Sequence, residues 1–149
     1  MDKRIEGDRV RESFAERIES LKAGIIGAIS FGIAYGITVA SNLYILENTN
    51  IVELNLLLRL GAAIFSGFLF GVTYRYIIRT DTNSHLSDGA VFAFSLVRSL
   101  ALLELSENLR SNLYILMVLS IESILCFALA RVTLDLALDR KWVKPFKGG

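Results

Sequence analysis

The chain reads as an all-α integral membrane protein, a four-helix bundle preceded by an amphipathic, interfacial N-terminal helix. Three observations predict this class. Hydrophobic residues make up 53% of the 149 and charged residues 21%, yet the charges crowd into residues 1–22, the stretch 75–88 and the tail 139–149. Between them lie apolar runs of the length a helix needs to cross a bilayer, about 20 residues. Within two of those runs small residues recur at every fourth position, a spacing that lets helix backbones approach closely in lipid.

Residues 1–22 form a charged helical leader. Val10, Phe14, Ile18 and Leu21 fall at four- and three-residue steps and share one face. Opposite charges three apart, as at Glu19 and Lys22, support the helix by about 0.2–0.5 kcal/mol per pair. The face suits a helix lying in the membrane interface or docking on a partner, and its balanced charge equally fits a solvated leader.

The first span, 23–46, contains no charged residue. Gly24, Ala28, Gly32, Gly36 and Ala40 line one stripe of it, a helix-contact surface within the chain or between copies. A polar turn from Glu47 to Asn50 leads to the second span, about 54–78, whose start near Glu53 and Asn55 lies outside the hydrocarbon. Ala63, Gly67 and Gly71 continue the small-residue spacing and offer a mate for the first stripe. Phe31-Gly-Ile-Ala-Tyr35 is echoed by Phe70-Gly-Val-Thr-Tyr74. An inverted repeat would produce that echo, but shared apolar composition explains it more simply.

The third span, about 89–105, carries Arg98 near its centre, with Ser87 or Asp88 placed to cap its first turn. The fourth, about 112–136, carries Glu122 and Arg131. The tail, 139–149, combines four basic residues with Trp142 and Phe146, which suits an interface anchor. With four spans, Lys3, Arg4, Arg9, Arg11, Arg17 and Lys22, then Arg75 and Arg79, then Arg140, Lys141, Lys144 and Lys147 all fall on one side. Only Arg59 and Arg110 fall on the other. That asymmetry predicts both termini on the cytoplasmic, or stromal-equivalent, side.

Two groups of residues carry candidate chemistry. A charge at mid-bilayer costs roughly 2.5–3.5 kcal/mol on insertion scales, so Arg98 and Glu122 are expected to neutralise each other as an intramembrane ion pair. A register-fixing pair is preferred over a proton or ion path, because only Ser95, Ser99, Ser120 and Ser123 stand nearby. The second group is the set of loop contacts Tyr74, Arg75, Arg79, Asp81, Asn83 and His85. Tyr74, Arg75 and Tyr76 fit an interfacial belt with a snorkelling arginine. Asp81 and Asn83 fit Asx turns, since the glycine and distal glutamate of a calcium loop are missing. His85 reads as a hydrogen-bonded loop histidine. No metal or other cofactor is identifiable, and contact with lipid or pigment stays open. A net charge of +1 gives no reason to expect a nucleic-acid partner. The single cysteine, Cys126, cannot form an internal disulfide.

Phe70-Gly-Val-Thr-Tyr-Arg-Tyr76, the Arg79-x-Asp-x-Asn-x-His-Leu86 stretch and Gly89-Ala-Val-x-Ala-Phe-x-Leu-Val-Arg98 resemble a family of uncharacterised small four-span membrane proteins of cyanobacteria, with plastid relatives. The Glu122-Ser-Ile-Leu125 and Trp142-Val-Lys-Pro-Phe146 segments are similar to it as well. The resemblance implies a photosynthetic cell, with a thylakoid or plasma membrane as the location, and no chemistry. The expectation is therefore a non-enzymatic accessory or assembly subunit. Its partners would be membrane lipid and other membrane subunits, of a photosynthetic complex if the family holds, or further copies of itself. The alternative is a small homo-oligomeric ion or proton channel or carrier using Arg98 and Glu122.

Overall fold

The computed structural model describes residues 2–45, 53–78, 84–104 and 113–145, with side chains placed for 11–40, 57–78, 85–102 and 117–145. These form four helices, α1 (Asp2–Ile45), α2 (Glu53–Ile77), α3 (Ser84–Glu104) and α4 (Leu113–Asp139). Three of them are long and apolar enough to cross a membrane, through Arg11–Ala40, Leu57–Ile77 and Met117–Asp139. The third helix is not among them, because its described residues include His85, Asp88 and Arg98. It also starts five residues before the expected position. Ser87 and Asp88 are thus inside the helix rather than capping it. The Glu47–Asn50 turn and Arg79, Asp81 and Asn83 lie outside the described residues.

The expected separation of a leader from the first span does not occur. Helix α1 runs unbroken for 44 residues, roughly 66 Å at 1.5 Å per residue. Nothing at the junction stops it, since Ser20-Leu21-Lys22-Ala23 contains neither glycine nor proline. The Ser20 hydroxyl folds back on the Glu16 carbonyl (3.1 Å) rather than capping a new helix. The leader's apolar face, Phe14, Ile18 and Leu21, runs straight on as Ile25, Ile29, Ile33 and Ile37, all exposed. One stripe therefore continues from the charged segment into the span.

Helices α1 and α2 form the tightest pair. A methyl group on Gly67 would fall 2.5 Å from Phe31 Cβ and 2.7 Å from the Gly27 carbonyl oxygen, and one on Gly71 would overlap the Ala23 carbonyl. Gly24 and Gly32 on α1 and Ala63, Gly67 and Gly71 on α2 face the contact, and Ala28 touches Gly67. By contrast, a methyl group on Gly36 would meet nothing within 4 Å, and Ala40 is exposed. The residue missed is Gly27, one turn from Ala23 and buried against Gly67 and Gly71. The strict four-residue row drifts around a helix with 3.6 residues per turn, so its later members leave the seam.

Helix α4 packs on the other side of α1, and α3 packs chiefly on α4. Each helix sends one phenylalanine to the middle. Phe127 of α4 lies 4.4 Å from Phe31 of α1, 5.1 Å from Phe70 of α2 and 5.7 Å from Phe94 of α3, centroid to centroid. Tilted and edge-on rings at these distances add about 0.5–1.5 kcal/mol per pair beyond the area they bury.

Helix α4 ends in a turn that shapes the tail. The Trp142 amide donates to the Ala137 carbonyl (2.9 Å) and the Lys141 amide to the Leu138 carbonyl (3.0 Å), with Lys141 in the left-handed region at φ 58°. This is a Schellman cap made without glycine. It reverses the chain so that Val143 is buried and Lys144 returns toward α1. Lys141→Gly is expected to raise stability by about 1 kcal/mol, and a β-branched valine there to lower it, since L-residues are strained at positive φ. Denaturant unfolding of the detergent-solubilised protein measures both.

Candidate functional site

The polar residues gather at two levels of the bundle. At one end, Arg75 is 1% exposed and joins three segments distant in sequence. Its Nε donates to the Lys144 carbonyl (2.8 Å), Nη1 to the Ser20 hydroxyl (2.6 Å) and Glu16 carbonyl (3.0 Å), and Nη2 to the Glu16 carboxylate (2.5 Å). Only a guanidinium offers planar donors in so many directions. Glu19 completes the clasp by accepting the Lys144 amide (3.0 Å) and pairing with Lys22 (2.9 Å). The expected snorkelling arginine is thus corrected. Arg75 turns inward because Glu16, Ser20 and a free tail carbonyl give its donors partners.

Just inside this clasp lies a second network. Tyr74, also buried, donates to Asp135 (2.7 Å), Asp135 lies 3.6 Å from Arg131, and Arg131 pairs with Asp88. Helices α2, α3 and α4 are joined through it. Tyr74 therefore belongs to the core rather than to an interfacial belt. Tyr76 is half-exposed, with its hydroxyl 3.1 Å from the Ser20 hydroxyl. His85 lies on the exposed first turn of α3, not in a loop. Tyr74→Phe is expected to lower stability by about 1.5 kcal/mol, the lower figure for a hydrogen bond to a charged acceptor, since Asp135 is partly exposed. Thermal unfolding in detergent reads this.

The other level lies deeper. Arg98 is 8% exposed, with its guanidinium carbon 5.0 Å from the ring centres of both Phe31 and Tyr35. Its Nη1 reaches the Ser66 hydroxyl at 3.4 Å, and its Nη2 is buried without an acceptor. The expected ion pair with Glu122 is not formed. Among the described residues the ion pairs are Lys22–Glu19, Arg75–Glu16, Arg131–Asp88 and Arg131–Asp135. Glu122 is half-buried on α4. The guanidinium instead lies over two aromatic faces, which attract a cation when water is excluded. Two of the nearby serines donate within their own helix. Ser95 bonds to the Val91 carbonyl (2.6 Å) and Ser99 to the Ser95 carbonyl (2.7 Å).

The partners that matter most, Glu16 for Arg75 and Asp88 and Asp135 for Arg131, were not singled out from sequence. Arg131 and Asp135 stand four apart on α4, a spacing that signals a pair. Nothing local signals Glu16 and Arg75, which are 59 residues apart. Among the described residues no group of three or more histidine, cysteine, aspartate and glutamate side chains converges on a point where a metal could sit. Comparison with protein-family models, with curated proteins and with solved structures finds no match.

Proposed function

We propose that the chain is a four-pass, non-enzymatic membrane protein, an accessory or assembly subunit that packs against other membrane subunits. Both termini lie on the cytoplasmic or stromal-equivalent side in this reading. The observation that carries it is the apolar stripe of α1. From Ser20, where Arg75 grips α1, to Ile37 the stripe spans roughly 26 Å, which lipid can cover. Ile18 lies within that grip, between Glu16 and Ser20, and Phe14 lies beyond it, and both are exposed. Another subunit is the natural cover for a stripe that continues past the lipid. The likeness to the cyanobacterial family supports a thylakoid or plasma membrane and a photosynthetic complex as the setting.

The α1–α2 glycine seam is used up inside the chain, so α1's outer stripe, not the seam, is the surface left for a partner. The test is co-purification from native membranes in mild detergent, comparing the wild type with Phe14→Ser/Ile18→Ser. Defined subunits retained by the first and lost by the second support the reading. A variant that keeps every partner overturns it.

The second reading, a small homo-oligomeric channel or carrier, is favoured by one observation, the Arg98 Nη2 that is buried without an acceptor. Purified protein that carries ions across liposomes, and loses the flux on Arg98→Leu, would establish it in place of the first.

A further inference from the structure

The leader is balanced in charge and the tail is basic as sequence, and the fold separates the leader's signs. Glu16 is turned inward onto Arg75, and Glu19 is taken up by Lys22 and the Lys144 amide. Arg11, Arg17, Arg140, Lys141 and Lys144 stay exposed and make no ion pair with a described residue, and among the described side chains there only Glu12 and Asp139 are exposed carboxylates. Because the clasp docks the tail on α1, cations more than a hundred residues apart share one end of the bundle. Trp142 is 65% exposed at the same end, with the Arg140 guanidinium 6.0 Å from its ring centre. Exposed Ile18 and Leu21 lie beside Arg17 and Lys22 on α1.

We propose that this end is a binding surface for anionic lipid headgroups, the phosphates held by Arg17, Arg140, Lys141 and Lys144 and the acyl boundary marked by Trp142. Basic side chains grouped next to a tryptophan where a span leaves the hydrocarbon fit a negatively charged leaflet. A zwitterionic headgroup gains little from them. The proposal rests on the membrane reading above, and it adds the class of lipid and the residues that select it.

The experiment uses full-length protein in nanodiscs of phosphatidylcholine containing a graded fraction of phosphatidylglycerol, with bound lipid counted by native mass spectrometry after release. Wild type is expected to retain phosphatidylglycerol over phosphatidylcholine, less so at high salt. Each of Arg17→Gln, Arg140→Gln and Lys144→Gln is expected to weaken retention by about fivefold. Arg59→Gln, an exposed cation near the opposite end of α2, is expected to leave it unchanged. Equal retention of the two lipids, or an Arg59→Gln effect as large as the others, overturns the proposal. Circular dichroism of each variant separates lost binding from lost folding. Protein washed off native membranes by alkaline carbonate would overturn the membrane reading itself. Protein that resists the wash yet shows no lipid preference overturns this inference alone.

Discussion

Gly71→Leu is expected to unseat α1 from α2 and lower stability by at least about 3 kcal/mol, the upper part of the range for overpacking a tight core. The obstacle is backbone. A side chain there meets the Ala23 carbonyl, and Gly24 Cα lies 3.1 Å from the added carbon, so no rotamer can move out of the way. Lipid gives little hydrophobic force between helices, so lost close approach is not recovered by burial elsewhere. Gly36→Leu is the control. A carbon added there meets nothing within 4 Å, and the change should raise stability by less than about 1 kcal/mol, since leucine is the better helix former. Reversible unfolding in mixed micelles gives both values. A Gly71→Leu protein as stable as Gly36→Leu would mean that the seam is not where these helices meet.

Arg75→Leu should be the other severe change, lowering stability by about 3 kcal/mol, the low end for breaking a buried pair because Glu16 keeps some access to water. It removes four hydrogen bonds at once and leaves the Glu16 carboxylate without its cation. The readout that distinguishes the clasp from general packing is local. Tryptic cleavage after the exposed Lys141 should speed up in Arg75→Leu, since the tail loses its hold on α1. Arg75→Lys should restore only part of the protection, because an ammonium cannot reach Lys144, Ser20 and Glu16 together. Unchanged cleavage in Arg75→Leu would show the tail to be held by Val143 and the Glu19 carboxylate without Arg75.

Sequence patterning revealed where the apolar helices lie, three of them long enough to cross a membrane, but not that the leader and the first span are one helix. The ends of α2 fell within a residue of expectation, 54–78 against Glu53–Ile77. The start of α3 did not, since His85, Ser87 and Asp88 look like loop until their partners are known. Ser87 is buried and Asp88 pairs with Arg131 of α4. The small-residue rows showed that α1 meets α2 but not which glycine is closest, because period four and period 3.6 diverge within two turns. Charge was the least legible. Arg98 and Glu122 look paired from matching depth, yet Phe31 and Tyr35 hold the guanidinium. Arg75 looks peripheral from its neighbours and is enclosed by segments that sequence separation hides. The echo between Phe31–Tyr35 and Phe70–Tyr74 has a counterpart in space. Both phenylalanines meet Phe127, and each tyrosine stands by an arginine cluster, Tyr35 at Arg98 and Tyr74 at Arg131 with Asp135.

Helix α1 has no joint between its charged leader and its apolar run, and this has a mechanical consequence. A rod anchored at Phe31 and gripped at Glu16 behaves as a lever with its fulcrum at Arg75. A sideways push on its outer arm cannot be absorbed by bending at the surface. It must tilt the inner arm, shifting Phe31 against Phe127 and Tyr35 against Arg98, so a tug on the outside is felt in the middle of the bundle.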